Sequence, residues 1–134
     1  MWIGTYFKWD PIPVYAGMRF DVEAVHDDWE GFRIWFRPHN QTKPMLIARF
    51  EDELFYASSD EGDRLSGAKN DIWDEFPHLF WKVDESELIN EFVRQSKGIR
   101  DGSAIQHYCF MSCNQCVDVL SLSEPKFESG ENDL

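Results

Sequence analysis

Three cysteines are the residues of this chain best suited to chemistry, and all of them lie in the segment CFMSCNQC, from Cys109 to Cys116. Their spacing, C-x-x-x-C-x-x-C, is the one by which radical-SAM enzymes hold an iron–sulfur cluster through thiolates. The second half, from Cys113 to Cys116, is a C-x-x-C, which also occurs in redox pairs and in zinc sites. The segment therefore matches three kinds of site, and its surroundings have to decide between them.

The surroundings of the cysteines favour a packing role. Strand alternation in IQHYCFMS places Cys109 on the same face as His107 and Met111, and Cys113 and Cys116 then flank a hairpin turn. There is no glycine-rich segment for a SAM cofactor, and a zinc site usually draws its ligands from two separate clusters. We therefore expect packing and turn residues, with no metal and no cofactor. Zinc held by the three thiolates and a histidine, or redox chemistry, stays open as an alternative.

The remaining polar residues do not form a catalytic motif in the sequence. The four histidines are scattered, and none has a carboxylate or cysteine at a spacing that recurs in nucleophile or metal motifs. Adjacent acids could act as general acid and base, but such pairs arise by chance in a chain with 25 acidic residues. P-loop, G-x-G-x-x-G and G-x-S-x-G patterns do not occur. We expect a protein that is not an enzyme.

Acids and aromatic residues are concentrated in the segment 59–81, SDEGDRLSGAKNDIWDEFPHLFW. Aromatic anchors surrounded by charge are the composition of a partner-binding surface. A second acidic stretch, HDDWE (26–30), lies in a predicted turn. The candidate partner-binding residues are Asp60, Glu61, Asp63, Asp71, Trp73, Asp74 and Glu75, together with Asp27 and Asp28.

The charge balance indicates the kind of partner. The 134 residues include 25 acidic and 13 basic ones, for a formal net charge of −12. A field of that sign repels nucleic-acid phosphates and anionic lipid surfaces, and it attracts basic proteins. We expect no direct binding of nucleic acid or membrane. No signal peptide is recognised, so a cytoplasmic location with reduced cysteines is expected, as a monomer or small homo-oligomer.

Hydrophobic periodicity predicts the elements that carry these residues. Period-two patterns begin at MRFDVEAV, FRIWFR, MLIARF and LFYAS, with short connections that predict an antiparallel meander. HLFWKV is a fifth strand, and IQHYCFM and CVDVLSL form a C-terminal hairpin. DESELINEFVRQSKG predicts one main helix over about 85–97, with Asp84 as its cap.

These elements together predict the fold class. We expect an α+β domain over 1–122, a curved antiparallel sheet of about six to seven strands with one main helix. Residues 1–17 are expected to be an irregular or edge segment, and 123–134 an acidic, flexible tail.

The order of three segments resembles a known family. FEDELFYASSDEGDRL, FWKVDESELINEFVRQSKGI and IQHYCFMSCNQCVDVLS together resemble, over roughly residues 45–122, the small bacterial immunity proteins of polymorphic toxin and contact-dependent growth inhibition systems. The resemblance implies a cytosolic, non-enzymatic protein that neutralises a cognate toxin, commonly a basic nuclease. It carries no binding residue over by motif.

Two other functions remain open from the sequence. One is an acidic nucleic-acid mimic that inhibits a DNA-binding or phage-defence protein. The other is a small metal or redox protein that uses Cys109, Cys113 and Cys116.

Overall fold

The structure is a computed structural model of the chain. It describes residues 2–15, 18–39, 46–60, 67–72, 75 and 78–129. Within that part of the chain, nine strands form two antiparallel sheets and one α-helix covers a face. The strands are β1 (Thr5–Lys8), β2 (Phe20–Asp28), β3 (Gly31–Pro38), β4 (Leu46–Phe50), β5 (Glu53–Asp60), β6 (Phe80–Asp84), β7 (Gln106–Met111), β8 (Gln115–Ser121) and β9 (Lys126–Ser129), and the helix α1 (Glu87–Gln95) lies between β6 and β7.

The two sheets share an aromatic core. One sheet has the strand order β1-β6-β7-β8-β5, and the other has the order β2-β3-β4-β9. Phe36 of β3 lies 5.3 Å from Phe110 of β7, and Phe50 of β4 lies 5.8 Å from Tyr108, both between ring centroids. All four side chains are fully buried. The aromatic excess of the sequence therefore fills the space between the sheets, where large rings remove the most apolar surface from water.

The five-stranded sheet is buried on both faces at its centre. Alternate residues of β7, such as Tyr108 and Phe110, point into the core between the sheets. The intervening residues, His107 and Cys109, lie on the opposite face, which α1 and the segment 67–72, through Ala68 and Ile72, cover. Because both faces of β7 are enclosed, a polar side chain on this strand has to find its partners inside the protein.

The predicted fold class is right at the coarse level, and its strand arrangement needs correction. The chain has nine described strands in two sheets instead of six to seven in one. The meander stops after β4, because β5 pairs with β8 and leaves the sheet formed by β2, β3 and β4. The turn between β4 and β5 is short, and a short turn alone does not determine whether two strands pair.

Two strands lie outside the predicted set. β1 falls in the N-terminal segment expected to be irregular or an edge, and it is the edge strand of the larger sheet, next to β6. β9 falls in the segment 123–134, which the sequence analysis assigned to a tail. Lys126–Ser129 pairs with β4, and Phe127 packs on the core between the sheets. Pairing with β4 and the packing of the Phe127 side chain attach this short stretch to the domain.

The predicted helix is present, with a different cap. α1 spans Glu87–Gln95, and its N-cap is Ser86, whose side chain accepts a hydrogen bond from the Ile89 backbone N–H. Asp84 is the last residue of β6. The chain turns between them at Glu85, which has a positive φ of 52°. The predicted hairpin of β7 and β8 is confirmed, and its turn residue Asn114 bonds to the backbone of Val22 in β2.

Among the described residues, no helix has the length and apolar character needed to span a bilayer.

Candidate functional site

The β2–β3 hairpin presents an exposed tryptophan between acids. Trp29 lies at the tip and is 91% exposed, the most exposed large apolar side chain reported for the described residues. Asp28 accepts hydrogen bonds from the Glu30 backbone N–H at 2.9 Å and from Arg33 at 2.8 Å. Gly31 completes the turn with a φ of 102°, a conformation that favours glycine. The tip is therefore a braced turn that holds Trp29 in solvent.

Arg33 sets the charge state of the tip. Its hydrogen bond to Asp28, followed by the bond from the Glu30 N–H, lowers the pKa of the Asp28 carboxyl below its usual value. The guanidinium itself is largely buried, with a side chain 8% exposed. Arg33 is therefore committed to bracing the hairpin and adds little positive charge to the surface.

A second acidic turn lies next to this hairpin. Arg49 of β4, just before the β4–β5 turn, donates to the Glu30 carbonyl at 3.3 Å and so connects β4 to the hairpin tip. Burial raises the pKa of the Glu53 carboxyl, and the negative charge of Asp27 raises it further. We call the surface formed by these two turns and the adjoining ends of β2 and β5 the acidic end; it comprises Asp27, Asp28, Trp29, Glu30, Asp52 and Glu53.

The acidic end carries an excess of negative charge. The nearby cations already have partners, because Arg49 pairs with Glu128 and Lys126 pairs with Glu51. Within the described part of the chain, Asp27, Glu30 and Glu53 take part in none of the ion pairs. Asp27 and Glu30 lie within two residues of Trp29 along the hairpin, and Glu53 lies close enough to Asp27 for their charges to interact.

The structure separates the candidate residues of the sequence analysis. Asp27 lies near Glu53, at the start of β5, whereas Asp60 is the last residue of that strand. Seven residues of extended chain place Asp60 about 23 Å from Glu53. Asp27 and Asp60 are therefore at opposite ends of β5, and one small contact cannot include both.

The other predicted residues lie towards β1 or outside the described part. Glu75 forms an ion pair with Lys8 of β1 at 2.8 Å, and Asp71 precedes the buried Ile72. Four further candidates, Glu61, Asp63, Trp73 and Asp74, lie outside the described residues.

An apolar groove lies along α1, and the sequence did not predict it. It has a volume of about 480 Å³ and is lined mainly by apolar side chains, among them Trp2, Phe55, Phe92 and Ile99. Phe55 comes from β5 and its ring lies 6.2 Å from that of Phe92. The apolar stripe of the helix was visible in the sequence, but the incomplete cover over it depends on how β5 and the N-terminal segment are placed.

The three cysteines separate into two places. Cys109 and Cys116 are both 1% exposed, and their sulfurs lie 3.1 Å apart. Cys113 lies in the β7–β8 turn, where its N–H donates to the Phe20 carbonyl, and its sulfur is near Asp21 and His39. The C-x-x-C pair of the sequence is therefore not the pair that meets in the structure.

A buried polar chain continues from the two thiols. The Cys116 sulfur lies 3.9 Å from Asp118 Oδ2, and the other carboxylate oxygen lies 2.8 Å from His107 Nε2. His107 Nδ1 is 2.7 Å from the Ser86 hydroxyl oxygen. Sequence reasoning did not identify Asp118. Alternation along β8 places it on the face of Cys116, which is a signal that could have found it.

Burial controls the reactivity of these thiols. Desolvation raises the pKa of the Cys109 thiol well above its usual value, and the bond with Cys116 and the charge of Asp118 act in the same direction. Cys109 is therefore a neutral thiol at physiological pH when no cation is bound, and a poor nucleophile.

Hydrogen bonds connect Ser86 to His107 and His107 to Asp118, as in the serine, histidine and aspartate of a hydrolase triad. The serine oxygen, however, already accepts a hydrogen bond from the helix. Ser86 is 4% exposed, and its oxygen caps α1 by accepting the Ile89 N–H at 3.1 Å. It also lines a small cleft of about 240 Å³. A nucleophilic oxygen has to be presented to a substrate. In this position the three residues tie the start of the helix to β7 and β8.

Comparisons with known proteins returned no match: no protein-family model, curated protein or solved structure matches this chain.

Proposed function

We propose that the protein neutralises a basic bacterial toxin by binding it, in the manner of an immunity protein, and that the acidic end is the contact surface. The observation that carries this proposal is Trp29, 91% exposed on a braced hairpin between two acids. Tryptophan is among the residues most often responsible for binding energy at protein interfaces.

The geometry of the tip favours binding with a small ordering cost. Burying roughly 200 Å² of a tryptophan side chain contributes on the order of 5 kcal/mol before the costs of association. The Asp28–Arg33 contact and the Glu30 N–H bond hold the turn before a partner arrives. Little conformational entropy is then lost when the turn docks.

The electrostatics favour a basic partner. The chain has a net charge of −12, and Asp27, Glu30 and Glu53 add uncompensated charge around Trp29. Such a surface steers a cationic protein and raises the association rate in a salt-dependent way. The acids are grouped in two turns, whereas a nucleic-acid mimic needs them spaced along a surface like phosphates. The toxin interpretation therefore explains the arrangement better.

The test first asks whether a neighbouring gene encodes a basic toxin domain, and then uses that domain as the probe, with binding kinetics measured over a range of salt concentrations. Trp29→Ala is expected to weaken binding about 30-fold, equivalent to about 2 kcal/mol. The double change Asp27→Lys and Glu30→Lys is expected to slow association and to flatten its salt dependence. Asp28 is left unchanged because it braces the hairpin.

Asp60→Lys is the matched control, since it reverses a charge at the other end of β5. Equal losses for Asp60→Lys and for the double change would place the interface elsewhere. If the toxin does not bind and the chain instead captures a DNA-binding protein, the nucleic-acid-mimic function replaces the proposed one.

A further inference from the structure

Two thiols and a carboxylate converge in the buried face of the β7–β8 hairpin. Cys109 lies directly opposite Asp118 in the strand register, and Cys116 lies opposite Met111. This register brings Cys109 and Cys116 together as diagonal neighbours on one face. The ligand atoms of Cys109, Cys116 and Asp118 all lie within 4.8 Å of one another, and all three residues are buried.

One oxygen of the buried Asp118 carboxyl group has a strong hydrogen-bond partner, and the other has only weak contacts among the described residues. Asp118 is 2% exposed, and one oxygen is bonded to His107 at 2.8 Å. The other oxygen lies 3.9 Å from the Cys116 thiol, a long and weak contact, and the Cys109 thiol also bonds to the carboxyl group of Asp118. A buried carboxylate is costly unless hydrogen bonds or a cation compensate it. The carboxyl group and the two sulfurs lie close together, and thiolate sulfur is a ligand type that zinc accepts.

We infer that Cys109, Cys116 and Asp118 form a binding site for one zinc ion. Two thiolates and a carboxylate oxygen are ligands that Zn²⁺ accepts, and a fourth position remains for a solvent or other ligand. Binding releases one proton from each thiol to solvent, as Zn²⁺ replaces the two S–H protons. The inference does not depend on the proposed toxin partner.

His107 has the position of an outer-shell residue in this site. It bonds to one oxygen of the Asp118 carboxyl group, and its other ring nitrogen is held by Ser86 at 2.7 Å. Such partners fix the orientation of a metal-binding carboxylate. His107 is therefore a positioning residue, connected through Ser86 to the start of α1.

The distance between the two sulfurs is closer to the value that a bound zinc ion requires than to that of a disulfide. At 3.1 Å they are farther apart than the roughly 2.05 Å of a disulfide. Two sulfurs bound to one tetrahedral zinc at about 2.3 Å are about 3.8 Å apart, so the ion requires a smaller displacement than the covalent bond. A disulfide would also remove the thiol contact to Asp118, and zinc would compensate its charge.

The other cysteine lies in a different environment. Cys113 is half-buried near Asp21 and His39, and both oxygens of Asp21 lie 3.1 Å from His39 Nδ1. His39 therefore engages both oxygens of Asp21, whereas His107 engages one oxygen of Asp118, so the buried cluster has the stronger case. Cys113→Ser is accordingly the matched control for the two buried cysteines.

The experiment uses the full chain, reduced and stripped of metal with a chelator, and titrates it with Co²⁺ as a spectroscopic substitute for zinc. We expect saturation at one equivalent, a sulfur-to-cobalt charge-transfer band in the near ultraviolet, and displacement of the cobalt by zinc. Absence of that band or of saturation at one equivalent overturns the inference. This measurement needs no variant, so a misfolded mutant cannot obscure it.

Variants then assign the ligands. The double change Cys109→Ser and Cys116→Ser is expected to abolish the band, and Cys113→Ser to leave it intact. Asp118→Asn and His107→Gln are expected to weaken cobalt binding, with His107→Gln losing about 10–100-fold. Metal retained by the double variant and lost from Cys113→Ser would assign the ion to the Asp21, His39 and Cys113 cluster. Loss of two hydrogens by mass spectrometry after peroxide treatment, without metal binding, would make the buried cysteines a redox pair and refute the zinc site.

Discussion

His107 and Asp118 form a buried hydrogen-bonded pair, with His107 Nε2 2.8 Å from Asp118 Oδ1 and both side chains almost completely enclosed. Ser86 extends the contact to the start of α1. One polar connection therefore runs from the helix through β7 to β8 inside an otherwise apolar face. Its members depend on each other because water cannot replace a lost partner there.

Removing the histidine from this pair is expected to destabilise the protein strongly. His107→Ala leaves the buried Asp118 carboxylate without its main partner, and the expected loss in the free energy of unfolding is about 3 kcal/mol. Urea unfolding of the metal-free protein at neutral pH measures it. His39→Ala is the control, because His39 pairs with Asp21 near the surface. That change is expected to cost less than about 1 kcal/mol. Similar losses for the two variants would show that the buried pair contributes no more to the free energy of unfolding than the surface pair does.

Ser86 is expected to contribute through its oxygen. Ser86→Ala removes the helix cap and one partner of His107, so unfolding should become easier by about 1–3 kcal/mol. Ser86→Thr keeps a hydroxyl and should recover part of the loss. Equilibrium denaturation followed by circular dichroism gives both values. An alanine variant as stable as the parent protein would contradict the capping role.

Removal of the Tyr108 hydroxyl, unlike the changes at His107 and Ser86, is expected not to destabilise the protein. This hydroxyl is buried, and within the described part of the chain it has no hydrogen-bond partner. Tyr108→Phe removes this unsatisfied group and keeps the ring against Phe50, so stability should stay unchanged or rise. Thermal unfolding measures the change, with Tyr6→Phe as a control. The Tyr6 hydroxyl is close to the Trp2 carbonyl and bonds to it, so that variant should lose stability. A clear loss for Tyr108→Phe would mean that its hydroxyl has a partner.

The same tyrosine gives a prediction for alkaline pH. Burial raises the pKa of Tyr108 to about 12, and the charge of Glu124 adds to the effect. An unfolded tyrosine ionises near pH 10, below the pKa of Tyr108 in the folded protein. The free energy of unfolding is therefore unaffected by this ionisation below pH 10 and decreases as pH rises towards about 12. Unfolding measured between those values should show the decline, and Tyr108→Phe should reduce it. An equal decline in both proteins would assign the effect to other groups.

Asp28 is expected to control the shape of the hairpin tip at acid pH. Its pKa is lowered by Arg33 and by the Glu30 N–H. The charged carboxylate therefore contributes to the free energy of unfolding above the usual aspartate pKa, and this contribution is lost as pH falls through the lower pKa of the folded protein. NMR titration of the carboxyl should show this low pKa, and Arg33→Lys should raise it towards the ordinary range. Trp29 fluorescence should change over the same pH interval. A normal Asp28 pKa in the parent protein would remove the physical basis for a braced tip.

Local hydrophobic periodicity and turn residues were sufficient to predict much of the secondary structure. The helix was predictable because its apolar residues recur at helical spacing after a polar cap and before Gly98. The β7–β8 hairpin was predictable because two alternating runs flank a short polar turn. β9 was not, since Lys126–Ser129 is short, has Phe127 as its one apolar side chain, and pairs with residues of β4 that lie 77 to 83 positions earlier in the sequence.

The candidate surface was partly visible in the sequence. The stretch HDDWE marked a turn with an aromatic residue among acids, and the structure places Trp29 at its tip. What the sequence could not tell was that Asp60 lies at the other end of β5 from this tip. That separation follows from β5 being one continuous strand beside β8.

The sequence by itself determined the charge, the aromatic core composition, the helix and the alternation that puts Cys109 on the face of His107. Only the tertiary structure decided that Cys116 and Asp118 join them and that Cys113 does not. Alternation assigns residues to the two faces of one strand, whereas the neighbours across a sheet depend on strand order and register. Those are set by the packing of both sheets together, which no local stretch of this chain contains.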